Sequence, residues 1–190
     1  MRDYIMRQID SATDANAERF FIDLLNYGAA AQKYFQYGAN DLANNKLPEE
    51  QQKLPAEAQK GADNRVKGTG YLGTGLALEN AIEVQILFNK AVVNNTMRAE
   101  ITYVNTKGKE VTISVDGADF VKNGNQGWVV TTYLALTEGM QVLTCTVYDG
   151  ETAVATAQDS IESYLTRSYD NDALYPAIMQ YIRSAKEFFK

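Results

Sequence analysis

The residues best suited to contact a ligand lie in a short segment that ends in the only tryptophan of the chain. Lys122, Asn123 and Asn125 supply an ammonium group and two amides within this glycine-rich segment, and Trp128 follows them. Amide and charged groups orient the hydroxyls of a bound molecule, and an aromatic ring offers a flat apolar face. Trp128 and the apolar Val130 are two residues apart, so in a strand they point to the same face. The ring of Trp128 therefore either contacts a ligand or points into a core.

Three tyrosines are further candidates for ligand contacts. Tyr71 follows a glycine-rich segment that lacks the Gly-Lys-Ser/Thr ending of a phosphate loop. Tyr169 and Tyr175 flank an acidic turn at 170–172, where the alternative role is helix capping and packing. The aspartates of this turn and of 116–119 lack the EF-hand pattern, so no metal site is predicted and calcium stays open.

The composition argues against catalysis and against a bound cofactor. The 190 residues include no histidine, which removes the commonest general base and metal ligand. The single cysteine, Cys145, lies in an apolar alternating run typical of a buried, inert thiol. The remaining route is a pair of carboxylates among the 24 acidic residues, and no motif marks such a pair. We therefore predict a non-catalytic protein with no cofactor.

Charge and hydropathy restrict the partners. The net charge of −6 is spread along the chain without a Lys/Arg cluster, so neither nucleic acid nor a membrane is an expected partner. No stretch reaches the length of a transmembrane helix, and the first residues lack the apolar core of a signal peptide. Because the N-terminal segment begins inside a repeat copy, we expect part of a larger secreted or cell-surface protein, with the export signal outside this segment.

The two ends of the chain show the same helical spacing. The N-terminal stripe is Phe20, Leu24, Tyr27, Ala31 and Phe35, and the C-terminal stripe is Leu174, Ile178, Tyr181, Ala185 and Phe189. Both stripes recur at intervals of four, three, four and four residues, as one apolar helix face does. Asp14 and Asp172 stand at N-cap positions. The pattern predicts a helical hairpin at each end, related as an internal repeat.

Between the hairpins the apolar period changes to two. Apolar and polar residues alternate through 82–89 and again through 99–104 and 110–115, which is typical of half-buried strands. Asp149-Gly150 is the strongest turn signal. About seven short strands at these spacings predict an Ig-like antiparallel β-sandwich, so the predicted fold class is α+β.

These patterns divide the chain into four predicted segments. Residues 1–45 form the N-terminal helical hairpin, 46–70 a solvated connector, 71–158 the β-sandwich and 159–190 the C-terminal helical hairpin. The two hairpins are predicted to pack together as a second, helical lobe.

Two parts of the chain resemble a module that recurs in secreted and cell-surface proteins of gut Firmicutes. The first is the helix 25–35, with Tyr-Gly-Ala-Ala-Ala at its centre, followed by the Asn-Asp-Leu-Ala-Asn of 40–44. The second is the junction in which the hairpin 147–150 precedes a helix at 160–165. The C-terminal copy departs from the module, since Ile-Arg-Ser at 182–184 replaces the small residues.

The module is similar to parts of dockerin-bearing and starch-adherence proteins. The resemblance implies a non-catalytic, carbohydrate-binding role outside the cell, beside other domains of a larger parent protein. The favoured ligand is a polysaccharide or oligosaccharide of the α-glucan (starch) type, held by aromatic stacking. The alternative is a structural or adhesion spacer repeat with no glycan ligand.

Overall fold

The structure is a computed structural model that describes residues 1–59, 61–78, 82–168 and 173–190, without the side chains of Gln59 and Leu78. Within these residues the fold is α+β, as predicted, with four α-helices and two antiparallel four-stranded sheets. The helices are α1 (Arg2–Asp10), α2 (Ala15–Tyr34), α3 (Ile161–Arg167) and α4 (Leu174–Phe188). The strands are β1 (Tyr71–Leu78), β2 (Ile82–Asn89), β3 (Arg98–Val104), β4 (Glu110–Asp116), β5 (Val121–Asn123), β6 (Gly127–Leu134), β7 (Leu143–Asp149) and β8 (Thr152–Asp159).

The chain divides into two compact units. The helical unit comprises Met1–Gly61 and Leu165–Lys190, and the β unit comprises Ala62–Tyr164. Both predicted hairpin regions therefore contribute to one helical unit, although the division falls inside α3 rather than before it.

The segment predicted as a solvated connector, 46–70, is only partly solvated. Leu47 and Ala58 are buried in the helical unit, and Val66 forms an isolated β-bridge with Gln158 in the β unit. A short 3-10 helix, Ala56–Gln59, also lies within this segment. Single apolar residues in a polar segment leave no periodic signal, so their burial could not be predicted from spacing.

The helical unit is held together by the two repeat helices. Asp14 caps α2 as predicted, since its carboxylate accepts a hydrogen bond from the Asn16 amide at 3.1 Å, whereas Asp172 lies outside the described residues. The rings of Tyr27 and Tyr181, which are equivalent in the repeat, stack with centroids 5.4 Å apart. Burial raises the pKa of both phenols, so both rings stay neutral across the physiological range.

The β unit contains one more strand than the sequence predicts. The first sheet has the order β1-β2-β6-β5 and the second sheet the order β4-β3-β7-β8. The additional strand is β5, which pairs with β6 through three residues that are all exposed. So short a strand without apolar alternation gives no strand signal in the sequence.

Each sheet buries one face, as the alternation predicts. In the first sheet Val84, Ile86 and Phe88 are at most 2% exposed, and in the second sheet the same holds for Ile101 and Cys145. Burial raises the pKa of the Cys145 thiol to about 12, which leaves it protonated and unreactive at neutral pH.

Candidate functional site

The outer face of the first sheet carries a cleft of about 270 Å³. It is lined by Glu83 and Gln85 from β2, Val129 and Thr131 from β6, and Val121, Lys122 and Asn123 from β5. The lining combines a carboxylate, an ammonium group, amides and a hydroxyl with a small apolar floor. Such a surface can bind a polar molecule through several hydrogen bonds at once.

Strand register explains why these side chains share one face. Positions along β2 alternate between buried and partly exposed, and Glu83 and Gln85 occupy the partly exposed set. Directly paired residues of antiparallel strands point to the same side. Gln85 lies opposite Thr131, and Glu83 lies opposite Tyr133. The outward positions of β2 and β6 therefore form one continuous surface.

Neighbouring side chains in the cleft restrain each other. Gln85 Nε2 donates a hydrogen bond to Glu83 Oε1 at 2.6 Å. This bond limits the rotamers of both side chains, so less conformational entropy is lost when a ligand binds them. Lys122 also lines the cleft, although it pairs with Trp128 and therefore occupies the other set of alternating positions from Val121 and Asn123.

Along 73–77, the outward positions of β1 carry only one small side chain, that of Ala77. Pairing with β2 places Gly73, Gly75 and Ala77 at its outward positions. A Cβ atom at Gly73 would meet no atom within 4 Å, and one at Gly75 would lie 3.0 Å from Gln85 Oε1. The cleft is therefore continuous with a strip of bare backbone on β1.

An exposed aromatic ring flanks the cleft. Tyr133 on β6 is 63% exposed, and it lies opposite Glu83 and two positions along the strand from Thr131. The β5 strand pairs with β6 only at residues 127–129, which are remote from Tyr133. Tyr133 therefore offers a flat apolar face and a hydroxyl beside a polar surface.

Two of the predicted site residues, Trp128 and Tyr71, lie on the inward side of the same sheet. Both pair with Phe88, which is fully buried. The Tyr71 hydroxyl lies 2.9 Å from Thr74 Oγ1 and donates a hydrogen bond to Asp159 Oδ2 at 3.4 Å. Trp128 is half-buried at the end of its strand. Of the two roles considered for Trp128, this placement favours a contribution to the core.

The other predicted residues of the β unit lie at β5 and its turn. Lys122 and Asn123 belong to β5 and line the cleft. Asn125 is exposed in the turn that follows, where Gly124 has a positive φ of 52°. A Cβ atom at Gly127 would lie 1.8 Å from the Phe88 carbonyl oxygen, so only glycine fits where the turn re-enters the sheet.

The last two predicted residues do not join this group. Tyr175 is half-buried in α4 of the helical unit, and Tyr169 lies outside the described residues. The predicted set therefore separates into two cleft residues, one turn residue, two inward-facing aromatics, one helical tyrosine and one residue that the structure does not describe.

A second cleft, of about 210 Å³, lies in the helical unit. Its side chains are largely engaged with one another. Arg19 forms an ion pair with the buried carboxylate of Asp23, which also accepts a hydrogen bond from Gln180 at 2.9 Å. Arg183 donates to the Glu57 carbonyl at 2.6 Å. These bonds tie α2 and the 3-10 helix to α4, which is a structural role.

Sequence reasoning missed Glu83, Gln85, Thr131 and Tyr133. The sequence does contain one signal for Tyr133. Side chains alternate along a strand, so Tyr133 and Trp128 in β6 lie on opposite faces, and only one of them can face the core. The sequence does not give the register that brings β2 beside β6, so the polar residues of two distant segments could not be grouped.

Among the residues that the structure describes, no group of three His, Cys, Asp or Glu could hold a metal ion. Within the same residues, no helix is both long and apolar enough to cross a bilayer. No protein-family model, curated protein or solved structure matches the chain.

Proposed function

We propose that this chain is a non-catalytic glycan-binding module of a secreted or cell-surface protein, and that it binds its ligand on the outer face of the first sheet. The observation that carries the proposal is the exposed ring of Tyr133 beside the hydrogen-bonded Glu83–Gln85 pair. Sugar rings present apolar C–H faces and a rim of hydroxyls, so they need an aromatic face next to polar groups.

The choice of α-glucan as ligand rests on the resemblance to starch-adherence modules in 25–35 and 160–165.

The finer fold proposal is an Ig-like sandwich. An immunoglobulin domain has the order A-B-E-D in one sheet and places C, F and G in the other, with C′ at the edge in some members. The orders β1-β2-β6-β5 and β4-β3-β7-β8 correspond to A-B-E-D and C′-C-F-G. Buried and partly exposed residues alternate along β2 in one sheet and along β7 in the other, which supports the same arrangement.

A spacer repeat is the second candidate function. It is favoured by the helical unit, in which α2 and α4 carry equivalent residues and stack Tyr27 on Tyr181. A repeat whose helices pack on each other through equivalent residues is suited to a mechanical or spacing role.

Retention on insoluble starch tests the proposed function. We expect the purified chain to be retained on starch and released by soluble α-glucan, while cellulose and xylan retain little. Retention on none of the three polysaccharides would contradict glycan binding and favour the spacer role.

A further inference from the structure

We propose that the cleft binds an internal segment of a neutral α-glucan chain that crosses the strands, rather than the end of such a chain. This inference rests on the proposed function and adds the mode of binding.

The cleft and the bare strip together form a path across all four strands of the first sheet. The path begins at Asn123 on β5, passes Thr131 on β6 and Gln85 on β2, and reaches Gly75 on β1. Neighbouring strands lie ~4.8 Å apart, so the path extends about 14 Å across the strands. It runs obliquely, because Asn123 pairs with Gly127, four residues before Thr131. Its length therefore exceeds that of a single sugar ring. A ligand that fills the path therefore has several linked sugar units.

Both ends of the path are open. At one end, β1 presents Gly73 and Gly75, and a side chain added at Gly73 would extend into empty space. At the other end, β5 has only three residues, and all three are exposed. Recognition of a chain terminus requires a wall that stops the polymer, whereas a surface open at both ends lets the chain continue in both directions.

The groups along the path suit a continuous neutral chain. Hydroxyl and amide side chains bind sugar hydroxyls without requiring a free reducing or non-reducing end. Tyr133 flanks the path beside Thr131 and supplies a stacking face for one ring of the chain.

A calorimetric titration with maltose, maltotriose, maltoheptaose and a cyclic glucan of seven units tests this mode of binding. We expect the affinity of the full chain to rise from the disaccharide to the heptasaccharide. The cyclic glucan, which has no ends, is expected to bind about as tightly as the linear chain of equal length, within roughly threefold. A cyclic glucan that fails to bind while maltoheptaose binds would overturn the proposal.

Gly73→Ile tests the open end on β1. The added side chain faces empty space, and isoleucine suits a strand, so the fold is expected to be retained. We expect the affinity for maltoheptaose to fall by about tenfold, with the affinity for maltose unchanged because a short ligand does not reach β1. Thr112→Ile, at an exposed position of β4 in the second sheet, is the matched control and should change neither affinity.

The outcomes separate this inference from the proposed function. A wild-type protein that binds starch but shows no length dependence, or a Gly73→Ile variant that binds maltoheptaose normally, would refute the internal-chain mode and leave glycan binding in place. A wild-type protein that binds no glucan in any assay would refute both.

Discussion

Replacing Tyr133 with alanine is expected to weaken α-glucan binding by about 30-fold, the loss of a ligand-contacting aromatic worth about 2 kcal/mol. The ring is 63% exposed and lies opposite Glu83, so its removal deletes the stacking face without opening a cavity. Calorimetry with maltoheptaose measures the loss. The free energy of unfolding should change by less than about 0.5 kcal/mol, as for other exposed positions.

Trp128→Ala is the contrasting variant on the other face of the same strand. Because Trp128 pairs with the fully buried Phe88 and is itself half-buried, its truncation should reduce the stability of the β unit by about 2 kcal/mol. At a temperature where the variant is folded, its glucan affinity should stay near that of the wild type. The site assignment would be wrong if Trp128→Ala removed binding from a folded protein and Tyr133→Ala did not.

Replacing Phe20 with alanine is expected to destabilise the helical unit by about 3–5 kcal/mol, the range for large-to-small substitutions of buried aromatics. Phe20 is 7% exposed. Its ring centroid lies 4.8 Å from that of Phe188, 5.6 Å from that of Tyr181 and 5.5 Å from that of Phe189. The alanine therefore leaves a cavity where the two repeat helices meet.

Chemical denaturation followed by two signals measures this effect. Far-UV circular dichroism reports the helices, and the fluorescence of the only tryptophan, Trp128, reports the β unit. The matched control is Tyr37→Ala, since Tyr37 is 80% exposed and its loss should change stability by less than about 0.5 kcal/mol. An unchanged helical transition in Phe20→Ala would contradict the role of this aromatic cluster.

The helices and most strands follow from local patterns in the sequence. The stripes of α2 and α4 have a helical period, and Asp14 marks the start of α2 because a free carboxylate accepts the first amide hydrogens. The hairpin that joins β7 to β8 forms at Asp149-Gly150, where Gly150 has a φ of 57° that glycine adopts without strain. In these elements the deciding interactions lie within a few residues of one another.

The candidate site depends on contacts that are distant in sequence, and this is why it was largely missed. Gln85 and Thr131 face each other only because β2 pairs with β6 in one register, and a shift of one residue would turn both side chains inward. Trp128 is a ligand-contact candidate in the sequence because it ends a glycine- and amide-rich segment, but its pairing with Phe88 places it on the inward side of the sheet. Lys122 and Asn123, which are adjacent in sequence, are the two predicted site residues that line the cleft.

The most direct test of the site is a titration of the isotope-labelled protein with maltoheptaose, followed by the amide resonances of the backbone. We predict that the largest shifts occur at Gln85, Asn123, Thr131 and Tyr133, on the outer face of the first sheet. Shifts confined to the helical unit or to the outer face of the second sheet would contradict the proposed site, and the absence of any shift at saturating glucan would contradict glycan binding itself.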